Sequence, residues 1–305
     1  MRYTLNEIDH SIFRAYDVRG IVGTALTDST VYHLGRAFSA EAKSQGINHV
    51  NVAADGRLSS PSLKKIFSEG LMDGGCNVTD IGYVPTPTLY YSAYQDDQCT
   101  GVMITGSHNP ADYNGFKMML NGHTLSGDDI QNLKHRILEQ NYSEGEGTHE
   151  VLDIRQRYLQ RILGDVKLNR KLKVVVDCGN GIPGELAPQL IEQLGCDIIP
   201  MYCEVDGTFP NHHPDPGKPK NLQDAIAMVK KTGADLGLAF DGDGDRVGVI
   251  TNEGNIVYPD RVMMLFSEEI IKRHPGSAII FDVKCSRLLA NVIEEAGGKA
   301  TMWRT

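Results

Sequence analysis

Short apolar runs alternate with helical patterns of hydrophobic residues along most of the chain. The run HVNVAAD at 49–55 leads through a small polar turn into a stretch whose apolar residues recur at helical spacing. The same order of strand, turn and helix returns at 172–202 and at 277–300. Parallel strands need such crossover connections, so the pattern predicts tandem, related α/β domains with mixed, mainly parallel sheets and flanking helices.

Two segments have the composition of domain boundaries. The stretch NYSEGEGTHEV at 141–151 is polar and glycine-containing, and TNEGNIVYPD at 251–260 separates strand-like residues from a helical pattern. We therefore predict domains at 1–154, 155–256 and 257–305. The third is expected to be incomplete, because one βα unit and the start of another strand are too little to bury a core.

Composition and charge narrow the class of protein. The chain of 305 residues is 41% hydrophobic and 23% charged, which is ordinary for a globular protein, and its net charge of -9 argues against nucleic-acid binding. We find no apolar run near the roughly 20 residues of a membrane span and no secretory signal. The six scattered cysteines are typical of reduced thiols, so we predict a cytoplasmic protein; the oligomeric state is not readable from the sequence.

The strongest chemical signal is LGLAFDGDGDRVGVI at 236–250. A strand-like run ends in Asp241, Asp243 and Asp245, with glycines between them that let the backbone curl so that the carboxylates can converge. Carboxylates this close repel one another unless a cation joins them, and an oxygen-only ligand set favours Mg²⁺. The motif therefore predicts a magnesium site.

Two other interpretations of this motif are weaker. An acidic hairpin turn is possible because Asp-Gly is a common turn dipeptide. A calcium loop of the EF-hand type would need glycine where Arg246 stands and glutamate where Asn252 stands. The metal site remains the favoured hypothesis.

A second motif, ITGSHNP at 104–110, follows another strand-like run. It lacks the esterase pattern G-x-S-x-G, because Asn109 stands where the second glycine belongs, and alone it reads as a turn. Together with a cation site, however, it predicts that Ser107 carries a phosphate on an exposed loop. The predicted cation would neutralise and polarise that phosphate for transfer.

Cationic and polar side chains that could bind a phosphorylated substrate lie at loop starts and strand ends. Such positions form the ligand sites of α/β folds. They are Arg14, Tyr16, Arg19, Lys117, Arg246 and Lys284. The histidines of PNHHPDPGKPKN at 210–221 are instead expected to have structural or domain-packing roles, because adjacent histidines rarely bind one ion together.

The motifs, in chain order, resemble those of the α-D-phosphohexomutase superfamily, and more narrowly those of its bacterial phosphomannomutase/phosphoglucomutase branch. The likeness spans nearly all of the chain. Relatives that act on glucosamine phosphate usually carry alanine in place of Gly106, which favours the hexose branch. The motifs are FRAYDVRG, TGSHNPADYNGFK, NHHPDP, DGDGDR and FDVKCSR.

The resemblance implies a reversible transfer of a phosphoryl group between the 1- and 6-oxygens of a hexose. Phosphorylated Ser107 would donate to the substrate, and a hexose 1,6-bisphosphate would be the intermediate and activator. Mg²⁺ would bind the three aspartates and a phosphate oxygen of Ser107. The resemblance also assigns positions: Lys117 and Arg19 to proton transfer and charge stabilisation, and His108, Tyr16, Arg246 and Lys284 to the surroundings of the reacting groups or sugar.

The chain departs from the family pattern at its end. Neither the family's sugar-reading Glu/Ser/Gly/His loop nor its phosphate-gripping fourth domain occurs in the sequence. Because remote phosphate binding keeps the substrate in register, we expect poor turnover or none. Two alternatives stay open: an inactive fragment that binds sugar phosphates, and a Mg²⁺-dependent phosphatase whose nucleophile is Asp241. A preference for mannose or glucose is not predicted.

Overall fold

The computed structural model describes residues 3–5 and 7–304 of the chain. Within them, three sheets follow one another along the sequence, and each is flanked by helices. The α/β fold predicted from the alternation of strands and helices is therefore confirmed. In the described part of the chain, no helix is both long and apolar enough to cross a membrane.

The first sheet is mixed and has the strand order β1-β5-β4-β2-β3-β7, with β6 paired to β5. Strands β4, β2, β3 and β7 run parallel to their neighbours in that series, whereas β5 is antiparallel to both β1 and β4. The strands are β1 (Val18–Ile21), β2 (His49–Ala54), β3 (Asn77–Tyr83), β4 (Gly101–Ile104), β5 (Tyr113–Leu120), β6 (His123–Thr124) and β7 (His149–Val151). The helices of this part are α1 (Asp28–Ser44), α2 (Ser60–Asp73), α3 (Thr86–Ala93) and α4 (Asp128–Leu138), and α5 (Arg155–Asp165) follows.

The core of this unit depends on close packing between α1 and α2. A Cβ atom at Gly35 would lie 2.4 Å from the Phe67 carbonyl oxygen, and one at Gly70 would lie 2.3 Å from the Tyr32 carbonyl oxygen. Because both positions are glycine, the helices approach each other at backbone distance. The pair places Phe67 against Phe116 of β5, with their ring centroids 5.1 Å apart.

Two loops leave adjacent parallel strands of this sheet at the same edge. Asp55 follows β2, and residues 105–112, called the serine loop below, connect β4 to β5. Strands β2 and β4 are parallel neighbours, so their carboxyl ends lie side by side. This register brings Asp55 to the serine loop.

The second sheet, with the order β12-β11-β10-β8-β9, is also mixed. Its strands β10 and β11 form an antiparallel hairpin, and residues 241–246 at its tip are called the acidic loop below. The strands are β8 (Lys173–Asp177), β9 (Asp197–Met201), β10 (Leu236–Phe240), β11 (Val247–Thr251) and β12 (Ile256–Val257). The helices are α6 (Ala187–Gln193) and α7 (Gln223–Thr232).

The third unit consists of a parallel strand pair with two helices. These elements are α8 (Pro259–Arg273), β13 (Ala278–Asp282), α9 (Arg287–Glu295) and β14 (Lys299–Trp303). The segment 141–151, expected to be a boundary, ends in β7, which pairs with β3. The exact domain limits of 154 and 256 stay a prediction.

Candidate active site

The serine loop of the first unit and the acidic loop of the second meet face to face. The Ser107 hydroxyl donates a hydrogen bond to Asp241 Oδ2 across 3.1 Å. The backbone contact is equally close, because a Cβ atom at Gly242 would lie 2.5 Å from the Ser107 carbonyl oxygen. Glycine at position 242 is therefore what allows the two loops to touch.

The serine itself is buried, which corrects the expectation that Ser107 lies on an exposed part of its loop. It is 0% exposed, whereas Pro110 in the same loop is exposed. Burial follows from the docking of the acidic loop, which the sequence of the serine loop does not encode. The backbone of Ser107 also has φ 50°, in the left-handed region that residues other than glycine seldom adopt.

A histidine lies beside the serine hydroxyl, and an arginine binds that histidine. His108 Nδ1 lies 3.2 Å from Ser107 Oγ and accepts a hydrogen bond from Arg246 Nη1 across 2.8 Å. An arginine can only donate, so this contact requires an unprotonated Nδ1. Burial, and then the charge of Arg246, lower the pKa of His108, which favours the neutral ring at neutral pH.

The three aspartates converge as the sequence predicted. Asp241, Asp243 and Asp245 each offer a carboxylate oxygen, and these oxygens lie within 4.8 Å of one another. The acidic loop does connect a hairpin, as the turn interpretation required, but Asp241 and Asp243 are fully buried, unlike the carboxylates of a solvated turn. Thr86 holds one of them by donating to Asp243 Oδ2 across 2.6 Å.

The electrostatics of the acidic loop are those of crowded, desolvated carboxylates. Burial and then the negative charge of Asp243 raise the pKa of Asp241 to about 8. Burial opposes ionisation of Asp243 as well, but the charge of Lys117 outweighs it and lowers the pKa of Asp243. Ionisation of Asp241 beside Asp243 is therefore favoured only when further positive charge lies close to the acidic loop.

Lys117 of β5 supplies part of that charge. Its Nζ lies 2.6 Å from Asp243 Oδ2 and 2.5 Å from Asp245 Oδ2. Burial alone would lower the pKa of Lys117, but the charges of Asp243 and then Asp245 raise it above its usual value. The lysine that the resemblance linked to proton transfer is thus a firmly protonated counter-ion in this arrangement.

The donor set fits a divalent metal ion. All three side chains offer hard oxygen ligands, as Mg²⁺ prefers. Asp243 Oδ1 is buried and has no hydrogen-bond partner among the described residues. A buried carboxylate oxygen without a partner is energetically costly, and a bound cation would remove that cost.

The remaining sequence-predicted residues differ in how closely they approach this cluster. Arg19 is buried, pairs with Asp17 at 2.6 Å, and donates from Nη1 to Asn109 Oδ1 across 3.1 Å. Tyr16 and Lys284 are exposed. Among the described residues, no hydrogen bond or ion pair joins either of them to the side chains around Ser107.

The histidine-rich loop has packing contacts of the kind predicted. His213 Nε2 donates to the His108 carbonyl oxygen across 2.5 Å, and His212 Nε2 lies 3.0 Å from Asp177 Oδ2. The two rings point to different partners, as expected of adjacent histidines. His213 thus links the second unit to the serine loop, and His212 fixes the histidine-rich loop to the end of β8 within the second unit.

Sequence reasoning missed two residues of the site. Arg57 is buried, and its guanidinium contacts the serine loop, while Thr86 contacts Asp243. Both follow strands of the first sheet, in the turns GRLSSPS and VPTPT. The only available signal was their position after a strand end, where α/β ligand sites form.

Family models cover most of the chain. The model described as "Phosphoglucomutase/phosphomannomutase, alpha/beta/alpha domain I" matches residues 10–144, and that for domain II matches residues 156–254. A Pseudomonas putida protein named phosphomannomutase/phosphoglucomutase is 59% identical over 295 residues, which are 97% of this chain and 64% of the relative. A Neisseria meningitidis phosphoglucomutase is 50% identical over 300 residues, 98% of this chain and 65% of the relative.

A solved structure agrees with these matches. A phosphoglucomutase/phosphomannomutase family protein from Burkholderia thailandensis superposes with a TM-score of 0.95 at 48% identity, covering 98% of this chain and 67% of that one. The chain thus spans about two thirds of the length of the relatives it matches. With both domain models matched and their serine and acidic motifs in contact, the chain belongs to the phosphoglucomutase/phosphomannomutase family.

Proposed function

We propose that this chain carries out the phosphoryl transfer of a phosphohexomutase, in which Ser107 accepts and returns the phosphoryl group exchanged between the 1- and 6-oxygens of a hexose. One observation carries the proposal. The Ser107 hydroxyl lies 3.1 Å from Asp241 in a cluster of oxygen ligands. A nucleophile beside a divalent-cation site is the arrangement that phosphoryl transfer requires.

The transfer step uses groups already in contact with the serine. Ser107 Oγ forms a bond to the phosphorus of a hexose 1,6-bisphosphate, and the bond from that phosphorus to the sugar oxygen breaks. The serine proton passes to Asp241 Oδ2, which accepts the hydrogen bond of the Ser107 hydroxyl across 3.1 Å, while His108 Nδ1, 3.2 Å from Oγ, is occupied by the bond from Arg246. The departing sugar oxygen takes up a proton and leaves as the hydroxyl of a hexose monophosphate.

Asp241, Asp243 and Asp245 are the proposed ligands of Mg²⁺. When bound, the ion supplies positive charge that neutralises the phosphate oxygens and polarises the transferring group. Its ligands are held in place by this chain: Thr86 fixes Asp243, and the backbone N–H of Arg246 donates to Asp241 Oδ1 across 3.0 Å. The unpartnered Asp243 Oδ1 supports this assignment.

Positive side chains are proposed to bind the phosphates of the substrate. Both arginines bind side chains of the serine loop: Arg19 of the first unit donates to Asn109, and Arg246 of the second unit donates to His108. A cavity of about 360 Å³ borders the acidic loop at Asp245 and Arg246; its lining residues lie between 215 and 259 and include none of the serine loop. Tyr16 and Lys284 are proposed to contact the sugar.

The substrate class is a phosphorylated hexose, with the mannose and glucose forms both candidates. We keep 1–154, 155–256 and 257–305 as the proposed phosphoserine, metal-binding and partial sugar-binding domains. Matches to named phosphomannomutases and phosphoglucomutases support the activity, but this chain spans only part of their length. Turnover by these 305 residues is therefore what the experiment must measure.

The test is the conversion of glucose 1-phosphate to glucose 6-phosphate in the presence of Mg²⁺ and a trace of glucose 1,6-bisphosphate. Phosphorus NMR monitors the reaction. We expect slow conversion by the wild type and none by Ser107→Ala. Conversion by Ser107→Ala would overturn the proposal. Release of inorganic phosphate that depends on Asp241 but not on Ser107 would favour the phosphatase alternative, and binding of glucose 1-phosphate without any transfer would favour the inactive sugar-phosphate-binding fragment.

A further inference from the structure

Four backbone carbonyls of one short segment converge on a single guanidinium. Arg57 Nη2 donates to the carbonyl oxygens of Ser107 and Asn109 across 2.8 and 2.7 Å. Its Nη1 donates to those of Pro110 and Tyr113 across 2.5 and 2.9 Å. The acceptors thus extend from the nucleophile to the first residue of β5.

The partial negative charges of carbonyl oxygens that converge on one point repel each other unless a hydrogen-bond donor lies between them. The His108 carbonyl accepts from His213, so every carbonyl from position 107 to 110 is held by a side chain from outside the loop. Only arginine offers several donors in a rigid planar fork, and bonds from its charged group are stronger than neutral ones. The fold of the serine loop therefore depends on the guanidinium inside it.

The guanidinium is itself held from several sides. Arg57 is 2% exposed, its Nε lies 3.2 Å from Asp55 Oδ2, and its guanidinium carbon lies 5.2 Å from the centre of the Phe209 ring. Asp55 also accepts from Thr105 Oγ1 across 2.7 Å. A carboxylate of the first unit and an aromatic ring of the second thus fix the position of the arginine.

Two glycines make room for this arrangement. A Cβ atom at Gly106 would lie 2.4 Å from the guanidinium carbon of Arg57, so the guanidinium packs directly on the loop backbone. A Cβ atom at Gly242 would lie 2.5 Å from the Ser107 carbonyl oxygen that Arg57 holds. Arg57 therefore contacts the backbone of Ser107, and that backbone contacts the acidic loop. A shift of Arg57 would move the serine relative to the acidic loop.

We propose that Arg57 is a positioning residue for the nucleophile: it holds the serine loop in the one backbone conformation that sets Ser107 Oγ against Asp241. This inference rests on the proposed function of Ser107. The arginine contacts neither the reacting atoms nor the metal ligands. It acts through the backbone of residues 107–113.

The experiment compares Arg57→Met and Arg57→Lys with Arg36→Met in the full chain. Arg36 is the matched control because it is equally buried in the same unit and donates to the Ser143 carbonyl across 2.9 Å, away from the serine loop. Two readouts are taken: the rate of Ser107 phosphorylation by glucose 1,6-bisphosphate with Mg²⁺, and amide hydrogen exchange of residues 105–113. Unfolding midpoints are measured for all variants.

We expect both Arg57 variants to load Ser107 about 100-fold more slowly than wild type, as a displacement of about 1 Å at a reacting atom implies. Exchange in the serine loop should rise in both. Arg36→Met should lose stability but keep the wild-type loading rate and loop protection. Equal loading and equal loop exchange in the Arg57 and Arg36 variants would overturn the proposal.

A second comparison tests the contact with Gly106 directly. In the wild-type background, Gly106→Ala should displace the guanidinium and slow the phosphorylation of Ser107. In Arg57→Met, which lacks the guanidinium, the same substitution should slow phosphorylation little further. Additive effects of the two substitutions would contradict a direct contact. If the wild type does not load at all, the proposed function fails by itself, and loop exchange in the Arg57 and Gly106 variants still decides whether Arg57 sets the loop.

Discussion

Ser107 Oγ and Asp241 Oδ2 lie 3.1 Å apart although 134 positions separate the two residues in the chain. The serine follows β4 of the first sheet, and the aspartate follows β10 of the second. The proposed nucleophile and the proposed metal ligands are thus brought together by the contact between two units. Changes at the contact between the loops should affect chemistry more than they affect either fold.

Gly242→Ala is expected to separate the serine from Asp241. The added Cβ would meet the Ser107 carbonyl at 2.5 Å, so the loops must move apart, at a cost of about 1–3 kcal/mol in unfolding free energy. Ser107 phosphorylation should slow by about 100-fold, because the reacting oxygen moves by about 1 Å. The rate of Ser107 phosphorylation by glucose 1,6-bisphosphate is measured by mass spectrometry, and the stability is measured by urea unfolding.

Gly164→Ala is the matched control for that substitution. Gly164 lies in α5, where an added Cβ meets nothing within 4 Å. It should keep the wild-type loading rate and gain up to about 1 kcal/mol of stability from the better helix propensity of alanine. A Gly242→Ala protein that loads like Gly164→Ala would contradict the role assigned to the loop contact.

Lys117→Met is expected to make stability depend on Mg²⁺. Removing the ammonium leaves Asp243 and Asp245 without their counter-ion, which should cost about 3 kcal/mol in metal-free protein. Mg²⁺ should restore most of the loss, since it places positive charge among the same carboxylates. Thermal unfolding with EDTA and with Mg²⁺ measures both effects.

Lys64→Met provides the comparison, because Lys64 forms a similar buried pair with Asp80 at 2.7 Å outside the acidic loop. This variant should also be destabilised, but Mg²⁺ should restore no more stability to it than to the wild type. Equal recovery in both variants would mean that the ion acts elsewhere. Absence of recovery in Lys117→Met would remove the acidic loop as the magnesium site.

Much of the candidate site could be predicted because its residues are adjacent in sequence. The pattern DGDGDR places three carboxylates and an arginine within one loop, and TGSHNP places the serine beside a histidine. Their chemistry follows from residue types at fixed spacing, so the cluster around Asp241 and the position of Ser107 at a strand end were correctly anticipated. The strand and helix alternation likewise predicted the α/β fold.

The features that sequence reasoning missed depend on contacts between distant segments. Arg57 reads as part of a turn after β2, and only the parallel register of β2 and β4 brings it to the serine loop. Ser107 was expected on an exposed loop that displays it for phosphorylation, but the acidic loop of another sheet covers it. Lys117 could be placed near the serine, while its pairing with Asp243 required the docked structure.

Stability should depend on the protonation of His212. Burial alone would lower its pKa, but the hydrogen bond and charge of Asp177 raise it above the ordinary value. The ion pair therefore stabilises the fold fully below pH about 6.5, the unfolded value, and this contribution is lost as the pH rises through the higher folded pKa. The stability advantage of wild type over His212→Asn should shrink between acidic and alkaline pH.

Urea unfolding of the two proteins across this range is the measurement. His123→Asn, at an exposed histidine near Asp129, serves as the control and should differ little from wild type at any pH. A His212→Asn difference that stays constant with pH, or grows as the pH rises, would contradict the assigned ion pair.

The central claim is that Ser107 is the group that carries phosphate, and peptide mapping after incubation with glucose 1,6-bisphosphate and Mg²⁺ tests it most directly. The account predicts a gain of about 80 Da, one phosphoryl group, on the peptide that contains Ser107, and none in Ser107→Ala. The modification should also resist hydroxylamine, which cleaves aspartyl phosphates but not seryl phosphates. A phosphate mapped to Asp241, or no gain on the Ser107 peptide, would contradict the account.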